Sequence, residues 1–234
     1  YKKLEKPKQK WGGFGWACLV GNISIMAFYT VVCGWLINYF VKFVSGNNQN
    51  IGFDKMTADP SVNVLFLLIT VVMAFFILSF NLQGGLERVT KYMMIALLVL
   101  MVVLAVNSLM LGGAGEGMSF YLKPDFSKIN GSVVVGAMNQ AFFTLSTGMG
   151  GMAIFGSYID KNRSLMGEAV SVISLDTLVA ILAGVIIFPA CFTYNLEVNA
   201  GPSLLFDTMA TVFNNMEGGR IWGSLFFLFM VFAG

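Results

Sequence analysis

The sequence contains no histidine, and only 11% of its 234 residues carry a charge, whereas an average soluble domain has about 25%. Histidine is the commonest general base and transition-metal ligand, so its absence removes much acid–base and metal chemistry. The scarcity of charge excludes a water-covered surface, and with it a soluble enzyme or a disordered linker. A net charge of +2 without a basic face gives no support for a nucleic-acid partner.

Cysteine is scarce as well. The three cysteines are Cys18, Cys33 and Cys191, an odd number with no Cys-x-x-Cys pair. They predict neither a disulfide framework nor a zinc site. We therefore expect all three to pack as small buried side chains.

Apolar residues, by contrast, make up 57% of the chain. Such an excess predicts an integral membrane protein with the lipid bilayer as its surroundings. No signal peptide is visible at the charged beginning of the chain. The sequence stops inside an apolar run, Trp222 to Gly234, before the roughly 20 residues of a span are complete. We therefore expect an internal piece of a longer membrane protein.

Six apolar segments predict an all-α integral membrane protein, with residues 1–234 forming one partial transmembrane domain. The first five segments approach or exceed the roughly 20 residues that a helix needs to cross a bilayer. The six are residues 14–44, 62–80, 86–111, 133–159, 167–190 and, truncated, 221–234. Between the last two, residues 191–219 are expected to form an extracellular helical loop, because apolar residues recur there at helical spacing.

The distribution of lysine and arginine predicts the orientation. If the six segments cross alternately, nine cationic residues fall on the side of the N-terminal end and five on the other side. Cytoplasmic loops carry the excess of lysine and arginine. We therefore expect a multi-pass protein of the plasma (inner) membrane, with the N-terminal end of this chain in the cytoplasm.

The fourth segment contains a stretch that a continuous helix tolerates poorly. Gly148, Gly150 and Gly151 each cost about 1 kcal/mol relative to alanine in a helix. Ser146 and Thr147 can bond to nearby backbone instead. We expect the helix to break around residues 146–151, where the freed backbone groups must face protein, a ligand or a water-filled cavity. The alternative is close helix packing at small residues.

Asp176 is the one acidic residue well inside a predicted span, and no lysine or arginine lies at comparable depth. A carboxylate at the bilayer centre costs about 2.5–3.5 kcal/mol. We expect a bound cation, a proton or a partner on a helix missing from this chain to balance it; the alternative is a protonated structural aspartate. Asp176 with a threonine hydroxyl would suit an alkali or alkaline-earth cation better than a transition metal.

The run Gln140-Ala-Phe-Phe-Thr-Leu-Ser-Thr-Gly-Met-Gly, followed by Asp176 in the next span, resembles the neurotransmitter:sodium symporter family. The resemblance covers the whole chain, from the family's third helix at residues 12–35 to the middle of its eighth at 226–234. Two loops resemble the family as well, Gly84-Gly85-Leu86-Glu87-Arg88 and Lys123-Pro124-Asp125-Phe126. The resemblance implies a LeuT-type helix bundle with a broken helix at the membrane midplane.

The resemblance also implies a set of binding residues. Tyr29 would contact the substrate carboxylate and Phe143 would cover the site, while Gln140 would lie beside the chloride position. The implied substrate-binding residues are Ile25, Tyr29, Phe143, Thr144, Ser146 and Met149. The implied sodium-binding residues are Thr144 and Asp176 for a first ion and the backbone carbonyl of Ala233 for a second.

This sequence departs from the family's usual residues at three positions, two beside the proposed ion site and one in the substrate pocket. Asp176 stands where the family commonly has asparagine, and Ala180 stands where chloride-dependent members have serine. A fixed carboxylate could replace chloride, so we expect chloride-independent transport. Met149 stands where many members have phenylalanine. Because methionine is flexible, we expect a pocket for large apolar or aromatic amino acids.

The sequence thus predicts a sodium-coupled amino-acid symporter whose partners are an amino acid, sodium ions and the lipid bilayer, without an organic cofactor. One alternative is a proton-coupled carrier in which Asp176 titrates, and another is a non-transporting amino-acid receptor on the same scaffold. An ion channel fits less well, because a selectivity filter needs rings of repeated carbonyls. No feature of the sequence points to an enzyme.

Overall fold

The computed structural model describes residues 12–49, 52–79, 83–148, 150–151, 164–198 and 202–233. Within these ranges the chain is mostly helical and contains no strand. The α-helices in the described residues are, in chain order, α1 Gly12–Ser45, α2 Phe53–Thr57, α3 Pro60–Ser79, α4 Gln83–Leu109, α5 Ala114–Leu122, α6 Gly131–Thr144, α7 Leu165–Tyr194, α8 Pro202–Asn215 and α9 Gly219–Ala233. A 3-10 turn, Phe126–Lys128, lies between α5 and α6.

Six of these helices lie within or overlap the six apolar segments: α1, α3, α4, α6, α7 and α9. Among the described residues, three stretches are long and apolar enough to cross a membrane, namely Gly12–Ser45, Lys91–Leu109 and Leu165–Tyr194. Residues 152–159 of the fourth predicted segment lie outside the described residues. Helices α2 and α5 were not predicted, because five and nine residues are too few for a periodic apolar pattern to stand out.

The chain divides into two compact units. The first comprises Tyr1–Phe28 and Pro124–Ala180, and the second comprises Tyr29–Lys123 and Ile181–Gly234. The long helices α1 and α7 therefore contribute to both units.

Aromatic side chains form the core of the second unit. Tyr39 and Phe43 of α1, Phe206 and Phe213 of α8, and Phe227 of α9 are at most 2% exposed. The ring centroids of Tyr39 and Phe206 are 5.0 Å apart, and those of Phe43 and Phe227 are 5.3 Å apart, within the range of favourable aromatic pairs. Helix α8 therefore packs its apolar side chains into this core.

Helix α1 ends in a turn that favours glycine and is completed by α9. Gly46 has a φ of +80°, and its backbone N–H donates to the carbonyl oxygen of Phe43 at 3.2 Å. Arg220 Nε donates to the same Phe43 oxygen at 3.2 Å, and Arg220 Nη2 donates to the carbonyl oxygen of Val44. The guanidinium group thus satisfies carbonyls that a helix end leaves unpaired and places a positive charge at the negative end of the helix dipole.

Helix α5 approaches α7 closely because glycines face the contact. A β-carbon at Gly117 would lie 2.6 Å from Cα of Pro189. A β-carbon at Gly184 would collide with the ring of Tyr121, which stacks on Phe188 with 4.8 Å between ring centroids. These small residues allow a short helix to cover a long one.

Candidate functional site

Helix α6 of the first unit carries the residues of the sequence motif. At its start, the side-chain oxygen of Asn130 accepts the backbone N–H of Val133 at 3.0 Å, an N-cap that satisfies a donor the helix leaves unpaired. From this start the helix runs to Thr144. Phe143 and Thr144 therefore occupy its last turn.

The chain leaves α6 through a left-handed turn. Ser146 has a φ of +51° and donates its backbone N–H to the carbonyl oxygen of Phe143 at 3.1 Å. Thr147 donates its backbone N–H to the carbonyl oxygen of Phe142 at 2.9 Å, which completes a Schellman motif. Gly148 and Gly150 follow with φ values of +82° and +78°. The helix thus ends at Thr144, two residues before the segment 146–151 in which the sequence predicts a break.

The end of α6 brings Thr144 against Asp176 of α7. Thr144 Oγ1 donates its hydrogen to the Asp176 carboxylate and lies 3.1 Å from Oδ1 and 3.3 Å from Oδ2. The two residues are 32 positions apart, and both belong to the first unit. The structure therefore joins the two residues that the sequence singled out as oxygen donors for a cation.

The Thr144–Asp176 pair keeps spare capacity for a ligand. Thr144 is exposed and Asp176 is half-buried. Within the described residues the Asp176 carboxylate accepts a hydrogen bond from Thr144 and from no other group, although an ionised carboxylate offers about four acceptor positions. In the same part of the chain, the carbonyl oxygen of Thr144 accepts no hydrogen bond. The pair can therefore hold a proton or a hard cation with oxygens alone.

The other predicted site residues are distributed over both units. Ile25 is half-buried and lies in the part of α1 that belongs to the first unit. Tyr29, one turn later, is 39% exposed and is the first residue of the second unit. Phe143 is 45% exposed. Ser146 is half-buried. Met149 lies outside the described residues, and Ala233 is the last residue of α9 in the second unit.

The structure corrects the expectation that all three cysteines are buried. Cys33 and Cys191 are buried, but Cys18 is half-buried. Its sulfur lies 3.9 Å from the carbonyl oxygen of Gly148, in the turn after α6. A thiol is a weak donor, so Cys18 is a neighbour of the broken segment that sequence reasoning missed. A lone cysteine in an apolar helix carries no signal that could have identified it.

A second polar contact missed from the sequence lies in the loop helices of the second unit. Asp207 of α8 accepts the backbone N–H of Phe53, the first residue of α2, at 3.0 Å. Burial raises the pKa of Asp207 above its ordinary value, the charge of Asp54 raises it further, and the bond from Phe53 opposes both. Asp207 therefore anchors α2 to α8.

Comparison with known proteins identifies the family. The family model described as the sodium:neurotransmitter symporter family matches residues 54–234. An uncharacterized sodium-dependent transporter of Haemophilus influenzae is 35% identical over 99% of this chain and 54% of its own length. The uncharacterized sodium-dependent transporter YhdH of Bacillus subtilis is 32% identical over 100% of this chain and 53% of its own length. The chain thus spans about half the length of the curated relatives it matches.

A solved structure shows the same fold. The crystal structure of MhsT in complex with L-phenylalanine superposes with a TM-score of 0.89 at 35% identity, over 97% of this chain and 53% of that protein. This match confirms the predicted all-α, LeuT-type helix bundle. The relatives are transporters and not enzymes, as the composition indicated. The chain belongs to the sodium:neurotransmitter symporter family.

Proposed function

We propose that this chain is the central part of a sodium-coupled amino-acid symporter of the plasma membrane. The observation that carries the proposal is the contact between Thr144 and Asp176 at the broken end of α6, in a chain of the sodium:neurotransmitter symporter family. Helices α1, α3, α4, α6, α7 and α9 would be its spans. The excess of lysine and arginine on the side of the N-terminal end supports an orientation with that end in the cytoplasm and α8 outside.

The first sodium would bind at Thr144 and Asp176. Hard cations of calcium's size hold oxygens at about 2.3–2.6 Å, so two neighbouring ligands at right angles lie about 3.3–3.7 Å apart. Thr144 Oγ1 lies 3.1 and 3.3 Å from the two carboxylate oxygens, so a small adjustment would accommodate the ion. The ion would also neutralise a carboxylate whose burial in a membrane is costly. A second sodium would bind the backbone carbonyl of Ala233.

The proposed substrate is a large apolar or aromatic amino acid. Ile25, Tyr29, Phe143 and Ser146 would line its site together with Thr144 and Met149. Support comes from MhsT, whose structure contains L-phenylalanine, and from the adaptable methionine at position 149. If the substrate carboxylate touches the first sodium, ion and substrate bind cooperatively. With about 100 mV across the membrane, each sodium supplies about 2.3 kcal/mol, or about fifty-fold accumulation.

Transport would not require chloride. The carboxylate of Asp176 would supply a fixed negative charge beside the proposed sodium. In chloride-dependent members of the family, chloride supplies that charge. Replacement of chloride by gluconate should leave uptake by the full-length protein unchanged. Uptake that rises with chloride would contradict this part of the proposal.

The test is binding of L-phenylalanine to the full-length protein, followed as a thermal shift in sodium and in potassium buffer. The parent protein should be stabilised by L-phenylalanine in sodium alone. Thr144→Val should weaken the apparent sodium affinity about tenfold, since a lost ligand of about 1.4 kcal/mol corresponds to that factor. Thr70→Val is the matched control, because within the described residues the Thr70 hydroxyl bonds only to its own helix, at the carbonyl oxygen of Phe66.

Two outcomes would contradict sodium-coupled symport and favour a different function. Sodium-independent binding that follows pH and is altered in Asp176→Asn would favour a proton-coupled carrier, for which the Thr144–Asp176 hydrogen bond is the supporting observation. Sodium-dependent binding without uptake into proteoliposomes would favour a receptor on the same scaffold. Glu197→Gln, an exposed acid in the loop after α7, controls for a general effect of removing one negative charge.

A further inference from the structure

The second unit contains a cavity that the proposed transport site does not use. Its volume is about 320 Å³, at the lower end of the roughly 300–1,000 Å³ typical of small-molecule sites. It lies where the end of α4, the end of α7 and the turn between α8 and α9 meet. Its lining includes four polar or aromatic residues and two large apolar ones: Asn107, Tyr194, Asn215 and Glu217, with Leu111 and Met216.

The walls of this cavity are tied together by contacts between helices. The buried hydroxyl of Ser108 in α4 donates to the carbonyl oxygen of Ile186 in α7 at 2.7 Å. The Cys191 sulfur of α7 lies 3.8 Å from the Thr208 hydroxyl oxygen of α8. Because α4, α8 and the part of α7 after Ala180 all belong to the second unit, these contacts hold the cavity walls together within one compact unit.

Several polar side chains of the lining have no partner among the residues that the structure describes. Within the described residues, the side chains of Asn107, Tyr194 and Glu217 make no hydrogen bond or ion pair. The side-chain nitrogen of Asn215 donates to the carbonyl oxygen of Thr211 at 2.8 Å, which leaves its side-chain oxygen as an acceptor. The unpaired groups thus include a carboxylate, amide oxygens and an aromatic ring, all suited to a cation.

We propose that this cavity binds a small organic amine as a monocation, at a site separate from the central one. The ammonium group would pair with Glu217, the single charged residue in the described lining, and would also meet the amide oxygens and the face of Tyr194. The apolar substituent would pack on Leu111 and Met216. Since α8 belongs to the loop that the charge distribution places outside, the amine would enter from the outer solution.

The test is titration of the full-length protein with 2-phenylethylamine, in sodium buffer and with saturating L-phenylalanine to occupy the central site. Saturable binding should persist under these conditions. Glu217→Gln should weaken it by up to about fivefold, the size expected when an exposed charge pair is lost. Leu111→Trp should abolish it by filling the cavity. Glu197→Gln, an exposed acid outside the lining, should leave the affinity unchanged.

Three results would overturn the proposal: equal affinity in Glu217→Gln and the parent, equal affinity for phenylacetate and 2-phenylethylamine, or displacement of the amine by L-phenylalanine. Glu217 is exposed in a turn, so its substitution should not disturb folding, and its result stands even if Leu111→Trp does not fold. Because Leu111 and Glu217 lie outside the proposed central site, an effect of their substitution on amine binding is distinguishable from failure of the transport proposal, which the sodium-dependent thermal shift with L-phenylalanine measures by itself.

Discussion

Arg220 Nε lies 3.2 Å from the carbonyl oxygen of Phe43, so a side chain at the start of α9 completes the end of α1. The two residues are 177 positions apart. Phe43 is fully buried in the aromatic core, whereas the arginine side chain is accessible at its edge. The contact therefore caps the C-terminal end of α1 beside the aromatic core.

Substitution of Arg220 should lower stability. Arg220→Met keeps much of the apolar stem but removes charged hydrogen bonds to two carbonyls, so we expect a loss of about 1.5–3 kcal/mol in the free energy of unfolding. Arg220→Lys should recover part of this loss, because one ammonium group reaches fewer acceptors than the guanidinium fork. Thermal unfolding of the full-length protein, followed by intrinsic fluorescence, measures both. Equal stability of Arg220→Met and the parent would contradict the capping role.

Two glycines in α5 should respond to alanine with opposite signs. Gly117→Ala places a β-carbon against the backbone of Pro189, and we expect a loss of about 1–3 kcal/mol from overpacking. Gly115→Ala, two residues earlier in the same helix, meets nothing within 4 Å and should raise stability by up to about 1 kcal/mol through helix propensity. Denaturant midpoints of the two variants measure the difference. Equal shifts would show that α5 does not pack on α7 through Gly117.

Ser146 should tolerate glycine better than a β-branched residue. Its φ of +51° costs L-residues about 1–2 kcal/mol, so Ser146→Val should destabilise the protein by at least that amount while Ser146→Gly should be neutral or stabilising. Ser171→Val in the regular part of α7 is the control for the same exchange without a left-handed backbone. The readout is the thermal midpoint without substrate, since Ser146 also belongs to the proposed substrate site. Similar midpoints for the two valine variants would refute the left-handed turn.

Asp207 should make stability depend on pH. Burial raises its pKa in the folded protein, so the native state binds more protons than the unfolded chain and the free energy of unfolding falls as pH rises through the folded-state pKa. Asp207→Asn keeps an acceptor for the Phe53 N–H and should flatten this dependence. Unfolding midpoints from about pH 2 to about pH 7 cover the ordinary pKa of aspartate, about 3.9, with the ranges below and above it.

Asp125 supplies a control of opposite sign for that experiment. The hydroxyl and backbone N–H of Ser127 lower the pKa of Asp125, so its contribution to stability is present above its ordinary pKa and is lost as pH falls. Asp125→Asn should therefore change the acid side of the profile. A change of the same sign in both variants would mean that the two carboxyl groups do not titrate as the structure indicates.

The candidate site could be predicted in part because its signals are local. Gly148 and Gly150, with Ser146 before them, disfavour a helix by their own conformational preferences, and the structure ends α6 at Thr144 with three left-handed residues nearby. Asp176 stood out because a charge is rare in an apolar run. The contact of Cys18 with Gly148 could not be predicted, because it depends on how α1 passes the broken segment.

The same distinction, between local sequence signals and contacts of residues far apart in the chain, holds across the molecule. The sequence by itself determined the membrane class and the apolar helices, because hydropathy and backbone preference act over a few neighbouring residues. The tertiary structure alone decided that Thr144 meets Asp176, that Asp207 holds Phe53 and that unpaired polar groups gather around one cavity. Each of these joins residues far apart in sequence, and their distances follow from how whole helices pack, which no short stretch of sequence encodes.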